Sequence, residues 1–188
     1  MARWEPDARG RLEQAALALY GERGFEQTTV AEIAARAGLT ERTFFRHYAD
    51  KREVLFAGSA RLQDLLVKTV TDTPAEASPI DAIAGAVEAA GGLLQERRDL
   101  ARKRQAVIMA NTDLRERELI KLATLSHALA ETLRRRGVAE PAASLAAEAG
   151  IAVFRVAFER WIDDSADPDL RHVVRDSFAE LKAVTAAT

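Results

Sequence analysis

The sequence predicts an all-α protein of roughly nine helices. In almost every stretch between glycines, prolines and small polar residues, apolar residues recur three and four positions apart, which is the period of an amphipathic helix. No stretch keeps the strict alternation of a half-buried strand. Of the 188 residues, 48% are hydrophobic and 30% charged, as in ordinary folded proteins. We therefore expect one helical domain, or a small domain followed by a larger one.

Composition removes several classes of function. The chain has no cysteine, which excludes disulfides, thiol nucleophiles and sulfur-ligated metals, and it favours a reducing cytoplasm. Its first residues, "MARWEPDARGR", lack the apolar stretch of a secretory signal, and no apolar run is long enough to span a membrane. The formal net charge of -2 gives no global attraction to nucleic acid or anionic lipid. An anionic partner must therefore be met by local charge.

The first three helices are delimited by caps and glycines. One helix is expected over Asp7–Arg23. Thr29 followed by Glu32 has the spacing of a capping box, and predicts the start of the second helix. Gly38 ends that helix and Thr40 caps the third. The result is a helix, a tight turn and a helix over residues 29–48.

The remaining elements are predicted by the same signals. Asp50 is expected to cap one longer helix through "KREVLFAGSARLQDLLVKTV". The stretch "TDTPAEASPI" holds two prolines and marks a break. Five further helices are expected over Ile80–Gln95, Arg98–Ala110, Leu114–Arg136, Pro141–Asp163 and Pro168–Ala187. We expect a small first domain at residues 1–54 and a larger second domain at residues 55–188.

The third helix has two unlike faces. At about 100° per residue, Phe44 and Tyr48 fall on one side, while Arg42 and Arg46 fall almost opposite. Guanidinium groups bridge guanine edges or phosphates bidentately. Residues 36–52 include five basic residues and two acidic ones, so positive charge is concentrated in this segment. Two arginines on a short helix are also common in proteins that bind no DNA, and it is the helix-turn-helix frame that favours a major-groove contact.

The segment "GFEQTTVAEIAARAGLTERTFFRHYADKREVLF", Gly24 to Phe56, resembles the DNA-binding domain of the TetR family of transcriptional regulators. The resemblance implies base contacts from Arg42, Thr43 and Arg46, and phosphate contacts from Thr28, Thr29, His47 and Lys51. Thr40, which caps the recognition helix, is the remaining candidate DNA-binding residue. Phe45 stands where the family commonly has a tyrosine, and packing on a thymine methyl or a sugar is its expected role. Without the family frame, His47 is equally a helix-end residue and Lys51 a solvated lysine.

A homodimer is expected on two grounds. One short helix contacts too few base pairs for useful selectivity, and two-fold symmetry doubles the contact on a palindrome. The resemblance also implies that the last two helices form a four-helix bundle with a second subunit. The candidate interface residues are Ala143, Ala147, Gly150, Ile151, Phe158, Trp161, Val174, Phe178 and Leu181. Packing within the domain's own core is the commoner role for any one of them.

The resemblance further implies a ligand cavity among the middle helices. Its candidate lining residues are Leu94, Ile108, Met109, Leu122, Leu125, Ser126, Leu129, Phe154 and Arg155. Met109 alone is more simply a packing residue. Arg155 is expected first to pair with Glu159 one turn on, and otherwise to meet an acidic ligand. The C-terminal segments also resemble a TetR subgroup with an acyl-CoA-like ligand-binding domain, which implies a small apolar or acyl-type effector.

These observations favour a ligand-responsive repressor that binds a palindromic operator in double-stranded DNA. The alternative is a helical small-molecule carrier or sensor whose N-terminal domain binds protein. An enzyme is disfavoured because His47, His127 and His172 are far apart in sequence, and no metal-ligand spacing or phosphate-binding glycine loop occurs. We expect no cofactor, no metal and no membrane partner.

Overall fold

The structure is a computed structural model that describes residues 7–186, and within that range it contains helices and no strand. The all-α prediction is confirmed. A short 3₁₀ helix, Glu53–Phe56, lies between the third and fourth α-helices. The nine α-helices of the described range are α1 (Ala8–Arg23), α2 (Val30–Arg36), α3 (Glu41–His47), α4 (Ser59–Asp72), α5 (Pro79–Gln95), α6 (Arg98–Met109), α7 (Thr112–Arg135), α8 (Ala142–Asp163) and α9 (Leu170–Ala186).

Side-chain caps set the starts of several helices where the sequence placed them. The Thr29 and Thr40 side chains accept from the backbone N–H groups three residues on, at the starts of α2 and α3. Ser78 does the same for α5, with proline in the first turn. The last helix was expected to reach Ala187, a residue that lies outside the described range, as do residues 1–6 of the expected first domain.

One helix prediction is wrong. The segment after Asp50 was expected to form a single long helix, but it forms the 3₁₀ helix, a turn through Ala57 and Gly58, and then α4. The Asp50 carboxylate accepts from the backbone N–H groups of Arg52 and Glu53 at 2.8 and 3.1 Å, so it closes a local turn. Glycine at the break lowers the cost of leaving the helical conformation.

The chain divides into two compact units, and the first is discontinuous. It comprises the residues up to Ser59 together with Arg102–Arg117, while the second comprises Ala60–Ala101 and the residues from Glu118 onward. A boundary after residue 54 therefore does not separate the units. Within the first unit, the Arg104 side chain donates to the Leu55 carbonyl at 2.6 Å. The sequence could not anticipate this return of the chain, because the contact joins residues about fifty positions apart.

The core of the first unit supports the turn between α2 and α3. Leu12 of α1, Ile33 of α2 and Phe44 of α3 are each fully buried. Burying side chains of this size contributes about 1.5 to 3 kcal/mol each. The three short helices are thus fixed to one another by their apolar faces.

The core of the second unit is built from α5, α8 and α9. Gly150 on α8 lies so close to α5 that an added Cβ would stand 2.1 Å from the Ile83 side chain. At the far end of α8, the Arg98 guanidinium donates to the carbonyls of Trp161 and Asp164. The small residue at position 150 lets α8 and α5 approach closely, and the Arg98 guanidinium satisfies carbonyls at the end of α8, so the three helices can pack tightly.

Candidate nucleic-acid interface

The turn between α2 and α3 has the geometry of a Schellman motif. The Leu39 N–H donates to the Ala34 carbonyl at 2.8 Å, and the Gly38 N–H donates to the Ala35 carbonyl at 3.0 Å. Gly38 has a φ of 67°, in the left-handed region that glycine adopts without steric cost. Arg11 of α1 donates to the Ala37 carbonyl beside it. The angle between α2 and α3 is therefore fixed by the backbone itself.

A reciprocal capping box starts α2. The Glu32 N–H donates to the Thr29 hydroxyl oxygen at 3.2 Å, and the Thr29 N–H donates to the Glu32 carboxylate at 2.9 Å. The hydrogen bond from the Thr29 N–H is the largest cause that lowers the pKa of the Glu32 carboxylate. The hydrogen bond from the Thr29 hydroxyl and the positive charge of Arg23 lower it further. Thr29 itself is exposed, so its cap leaves the residue at the surface of the helix N-terminus.

The inner face of α3 holds the helix to the core. Phe44 is fully buried and Tyr48 is 4% exposed. The Phe44 and Tyr48 ring centroids are 5.5 Å apart, and Phe44 meets the Phe45 ring edge to face at the same separation. The Tyr48 hydroxyl donates to the Arg9 carbonyl at 3.4 Å. Because one side of α3 is locked in this way, its opposite side must face solvent.

The outer face of α3 carries unpaired positive charge. Arg42 and Arg46 are both exposed, and neither makes a hydrogen bond or ion pair with any other residue in the range 7–186. Phe45 beside them is 54% exposed. Like charges four residues apart on a helix are unfavourable, so an anionic partner would stabilise this face. Two guanidiniums flanking an apolar ring can contact phosphate, a guanine edge and a thymine methyl together.

Neighbouring cations of the first unit are paired internally. Arg36 binds Glu22 at 2.7 Å, and Arg52 binds Asp50 at 2.8 Å. Partial burial of the Asp50 carboxylate opposes ionisation, but hydrogen bonds from the Arg52 side chain and from two backbone N–H groups lower its pKa. The positive charge predicted over residues 36–52 is therefore available to a partner mainly at Arg42 and Arg46.

Lys51 has a structural contact that the sequence did not predict. Its ammonium donates to the carbonyls of Phe25, Glu26 and Thr28 at 2.9, 3.2 and 3.0 Å. It also lies 4.5 Å from the centroid of the Phe25 ring. All three ammonium hydrogens are thus used within the unit. We expected Lys51 to bind a phosphate, but in this conformation its ammonium binds backbone carbonyls instead.

Thr28 and His47 also differ from the expected pattern. Thr28 is 1% exposed, and its hydroxyl donates to the Gly24 carbonyl at 2.8 Å, so it has no surface to offer a phosphate. Nε2 of His47 is buried without a hydrogen-bond partner in the described part of the chain. A phosphate contact by His47 would need the other ring nitrogen. The hydroxyls of Thr40 and Thr43 lie 3.1 Å apart near the start of α3.

The described residues contain no signature of two other functions. Across residues 7–186, no group of three or more His, Cys, Asp or Glu side chains is arranged to hold a metal ion. No helix in that range is long and apolar enough to cross a membrane.

Comparison with protein families agrees with this geometry. Residues 13–57, which include α2, the turn and α3, match the family model described as bacterial regulatory proteins of the tetR family. Residues 77–186, more than half of the chain, match the model of the MftR C-terminal domain. The chain belongs to the TetR family of bacterial regulators. Members of this family are regulators rather than enzymes.

Individual relatives of this TetR-family protein cover different parts of it. The HTH-type transcriptional regulator TcmR of Streptomyces glaucescens is 34% identical over 88 residues, which are 47% of this chain and 39% of that protein. The chain thus aligns with well under half of that relative's length. The SmeT–triclosan complex superposes with a TM-score of 0.64 at 21% identity, over 92% of this chain and 90% of that one. FadR of Thermus thermophilus with lauroyl-CoA gives 0.55 at 23% identity, over 91% of each chain. At these identities the two structures establish the fold.

The residues proposed from the sequence as a dimer interface lie inside the second unit. Trp161, Ala143, Ala147 and Val174 are fully buried, and Ile151 and Phe178 are nearly so. Gly150 packs against α5, while Phe158 and Leu181 pack against the same core. In this structure the nine candidate residues pack within or against the core of their own subunit. Of the nine, only Phe158 and Leu181 are partly exposed in this conformation.

A second apolar stripe on α8 was missed. Leu145 and Val156 are 65% and 45% exposed. With Ala149 and Ala152 they recur at intervals of four, three and four residues, so they share one face of the helix. The signal was present in the sequence, but α8 is apolar on both sides and its pattern does not say which side faces inward.

The residues proposed to line a ligand cavity are mostly packed. Leu125, Ser126, Leu129 and Phe154 are buried in the second unit, and Leu94 and Leu122 are partly buried beside them. The Ser126 hydroxyl donates to the Glu148 carboxylate at 2.8 Å. Ile108 and Met109 belong to the first unit, where Ile108 is fully buried and Met109 is 56% exposed.

Arg155 takes neither of the roles considered for it. The residue is exposed, and within residues 7–186 it makes no ion pair with Glu159 or with any other side chain. It interrupts an apolar run in the sequence because it occupies the outer side of α8. A solvated arginine there carries no argument for an acidic ligand.

Proposed function

We propose that this TetR-family protein is a ligand-responsive repressor that binds a palindromic operator as a homodimer, with α3 in the major groove. The proposal is supported above all by the outer face of α3, where Arg42 and Arg46 are exposed and unpaired beside Phe45 while their neighbours Arg36 and Arg52 are neutralised. Base readout is assigned to Arg42, Arg46 and Thr43. A cytoplasmic location follows from an operator partner.

The dimer is proposed to form through the exposed stripe of α8 rather than through the residues inferred from sequence. Leu145, Ala149, Ala152 and Val156 combine two large apolar side chains with two small ones. Such a mixture allows two helices to approach closely and to bury apolar area. The same face on both subunits gives a two-fold contact, which suits a palindrome.

The effector is proposed to bind in the core of the second unit. That core is apolar, with Phe154, Phe158 and Trp161 along one side of α8. The two structural relatives described above hold triclosan, an apolar compound, and lauroyl-CoA, whose acyl tail is apolar, and we infer a small apolar or acyl-type effector for this protein. A coupling free energy of about 1 to 3 kcal/mol between the effector and operator sites would suffice to release DNA.

The test is DNA binding by fluorescence anisotropy, with a duplex taken from upstream of the protein's own gene and a scrambled duplex of the same length. We expect Arg46→Ala to weaken binding to the specific duplex by about 1 to 3 kcal/mol and to reduce the preference over the scrambled one. Arg155→Ala is the matched control, because it removes the same charge from another exposed, unpaired arginine. If both variants lose affinity equally, net charge and not α3 governs binding. If the unmodified protein shows no preference, the repressor proposal fails and the carrier or sensor alternative is favoured.

A further inference from the structure

Arg9, in the first turn of α1, is held at the C-terminal end of α3. Its guanidinium carbon lies 5.5 Å from the centroid of the Tyr48 ring, which is a cation–π contact. The Tyr48 hydroxyl also donates to the Arg9 carbonyl at 3.4 Å. Tyr48 is the residue that ends α3, and its N–H donates to the Phe44 carbonyl at 2.9 Å. The start of α1 and the end of α3 are therefore joined at this point.

The Arg9 guanidinium lies on the solvent side of this contact. Tyr48 is only 4% exposed whereas Arg9 is exposed, so the cation covers the ring from outside. Arg9 forms no ion pair with a carboxylate in the described part of the chain. The Asp7 carboxylate, two residues away, accepts instead from the Gly10 N–H at 2.8 Å. Arg9 consequently presents a positive charge at the surface that no acidic partner among these residues neutralises.

The length of α3 brings its C-terminal end close to the DNA backbone. The helix has seven residues. At a rise of about 1.5 Å per residue, it is about 10 Å long. The major groove of B-DNA is about 12 Å wide and is bordered by phosphates on both sides. With α3 in the major groove, as proposed above, a cation held at its C-terminal end can therefore contact a phosphate at the edge of the groove.

A phosphate at this end of α3 needs a cation beside it. The last carbonyls of a helix carry partial negative charge, which repels a phosphate. Two neighbouring groups are used elsewhere, because Nε2 of His47 is buried and the Lys51 ammonium donates to backbone carbonyls. Arg46 lies on the face assigned to base readout. Arg9 can supply the charge, since a guanidinium binds phosphate with two parallel hydrogen bonds.

We propose that Arg9 is a further DNA-binding residue, whose guanidinium is positioned by the Tyr48 ring and contacts an operator phosphate at the C-terminal end of α3. The inference rests on the proposed function, and it adds a contact from α1, outside the helix-turn-helix. Because the partner is a phosphate, Arg9 contributes to the affinity for any duplex and not to the choice of sequence. The ring restrains the guanidinium before DNA arrives, so less side-chain freedom is lost on binding.

The experiment uses the full chain, a duplex from upstream of the protein's own gene and a scrambled duplex of the same length. Fluorescence anisotropy over a series of KCl concentrations gives the affinity and its dependence on salt. Arg9→Gln removes the charge, while Arg9→Lys keeps the charge and removes the planar group. Arg155→Gln is the matched control, because Arg155 is an exposed arginine on α8 that also lacks an ion pair within residues 7–186. Phosphate ethylation interference then locates the contacted phosphates.

We expect Arg9→Gln to weaken binding to both duplexes by the same factor, about five- to tenfold at about 0.1 M salt, and to lower the salt slope by about one. Arg9→Lys should keep the slope and lose part of the affinity. Arg155→Gln should change neither quantity. In each half-site, ethylation of one phosphate should weaken binding by the unmodified protein and not by Arg9→Gln. A purely structural role in joining α1 to α3 would lower the affinity without changing the slope or the interference pattern.

Three results would overturn the inference: an unchanged salt slope in Arg9→Gln, an equal fall of the slope in Arg155→Gln, or a loss confined to the specific duplex, which would make Arg9 a base-reading residue. Arg9 is exposed, so its replacement removes no core contact, and circular dichroism checks that the variant keeps its helices. If the unmodified protein prefers its own duplex while Arg9→Gln keeps the slope, the role of Arg9 is wrong and the repressor proposal stands. If the unmodified protein shows no preference, the proposed function is wrong and the role of Arg9 is wrong with it.

Discussion

Replacing Gly38 by alanine tests whether the turn sets the angle between α2 and α3. Gly38 has a φ of 67°, and a Cβ added there would stand 2.7 Å from Nη2 of Arg11. The left-handed conformation costs a residue with a Cβ about 1 to 2 kcal/mol. Displacing Arg11 would also break its hydrogen bond to the Ala37 carbonyl, worth about 0.5 to 1.5 kcal/mol. We expect Gly38→Ala to destabilise the first unit by about 2 to 3 kcal/mol.

The assay is urea-dependent hydrogen exchange of peptides covering residues 29–48, which reports the free energy of opening α2 and α3. Gly21→Ala is the matched control, because Gly21 lies within α1 and a Cβ there meets nothing within 4 Å. This control should stabilise the same unit by about 0.5 to 1 kcal/mol, since alanine loses less entropy in a helix. A loss below about 1 kcal/mol for Gly38→Ala, or a similar loss in both variants, would refute the reasoning.

Three further predictions concern charge and assembly. The lowered pKa values of Glu32 and Asp50 mean that both carboxylates stabilise the fold when ionised, so the unfolding free energy of the first unit should be steady at neutral pH and should fall below about pH 4. Lys51→Met should cost about 2 kcal/mol of stability while leaving the salt dependence of DNA binding unchanged, whereas Lys68→Met, at an exposed ion pair, should cost less than about 1 kcal/mol. Val156→Glu should shift the protein from dimer to monomer in analytical ultracentrifugation, and a dimer that survives would move the interface elsewhere.

The features predicted well from the sequence are local. Thr29 and Glu32 interact across three residues, and the N–H groups of Gly38 and Leu39 bond to carbonyls three and five residues earlier, so both partners lie within one short segment. Thr40 starts α3 for the same reason. Short-range caps and the helical period together account for the order of the helices and most of their ends.

The features that were missed depend on distant partners. Lys51 finds its acceptors more than twenty residues upstream, and the local pattern marks it only as a lysine after a helix. On α8, one apolar face holds Ala143 and Trp161 while another holds Leu145 and Val156, and only the packing of α5 and α9 decides which is buried. The Arg98 cap likewise joins residues over sixty positions apart.

On α3, the side chains that hold the helix to the core are different from those exposed at its surface, and this separation has a consequence for how such a regulator could change its operator preference. Phe44 and Tyr48 hold the helix to the core. Arg42 and Arg46 project from it and make no hydrogen bond or ion pair with any other residue in the range 7–186, and the half-exposed Phe45 ring meets Phe44 edge to face. Substitutions at the three projecting positions therefore leave the fold nearly untouched. Under the proposed function, new operator preferences can be acquired by exchanging a few side chains, with no compensating change elsewhere in the molecule.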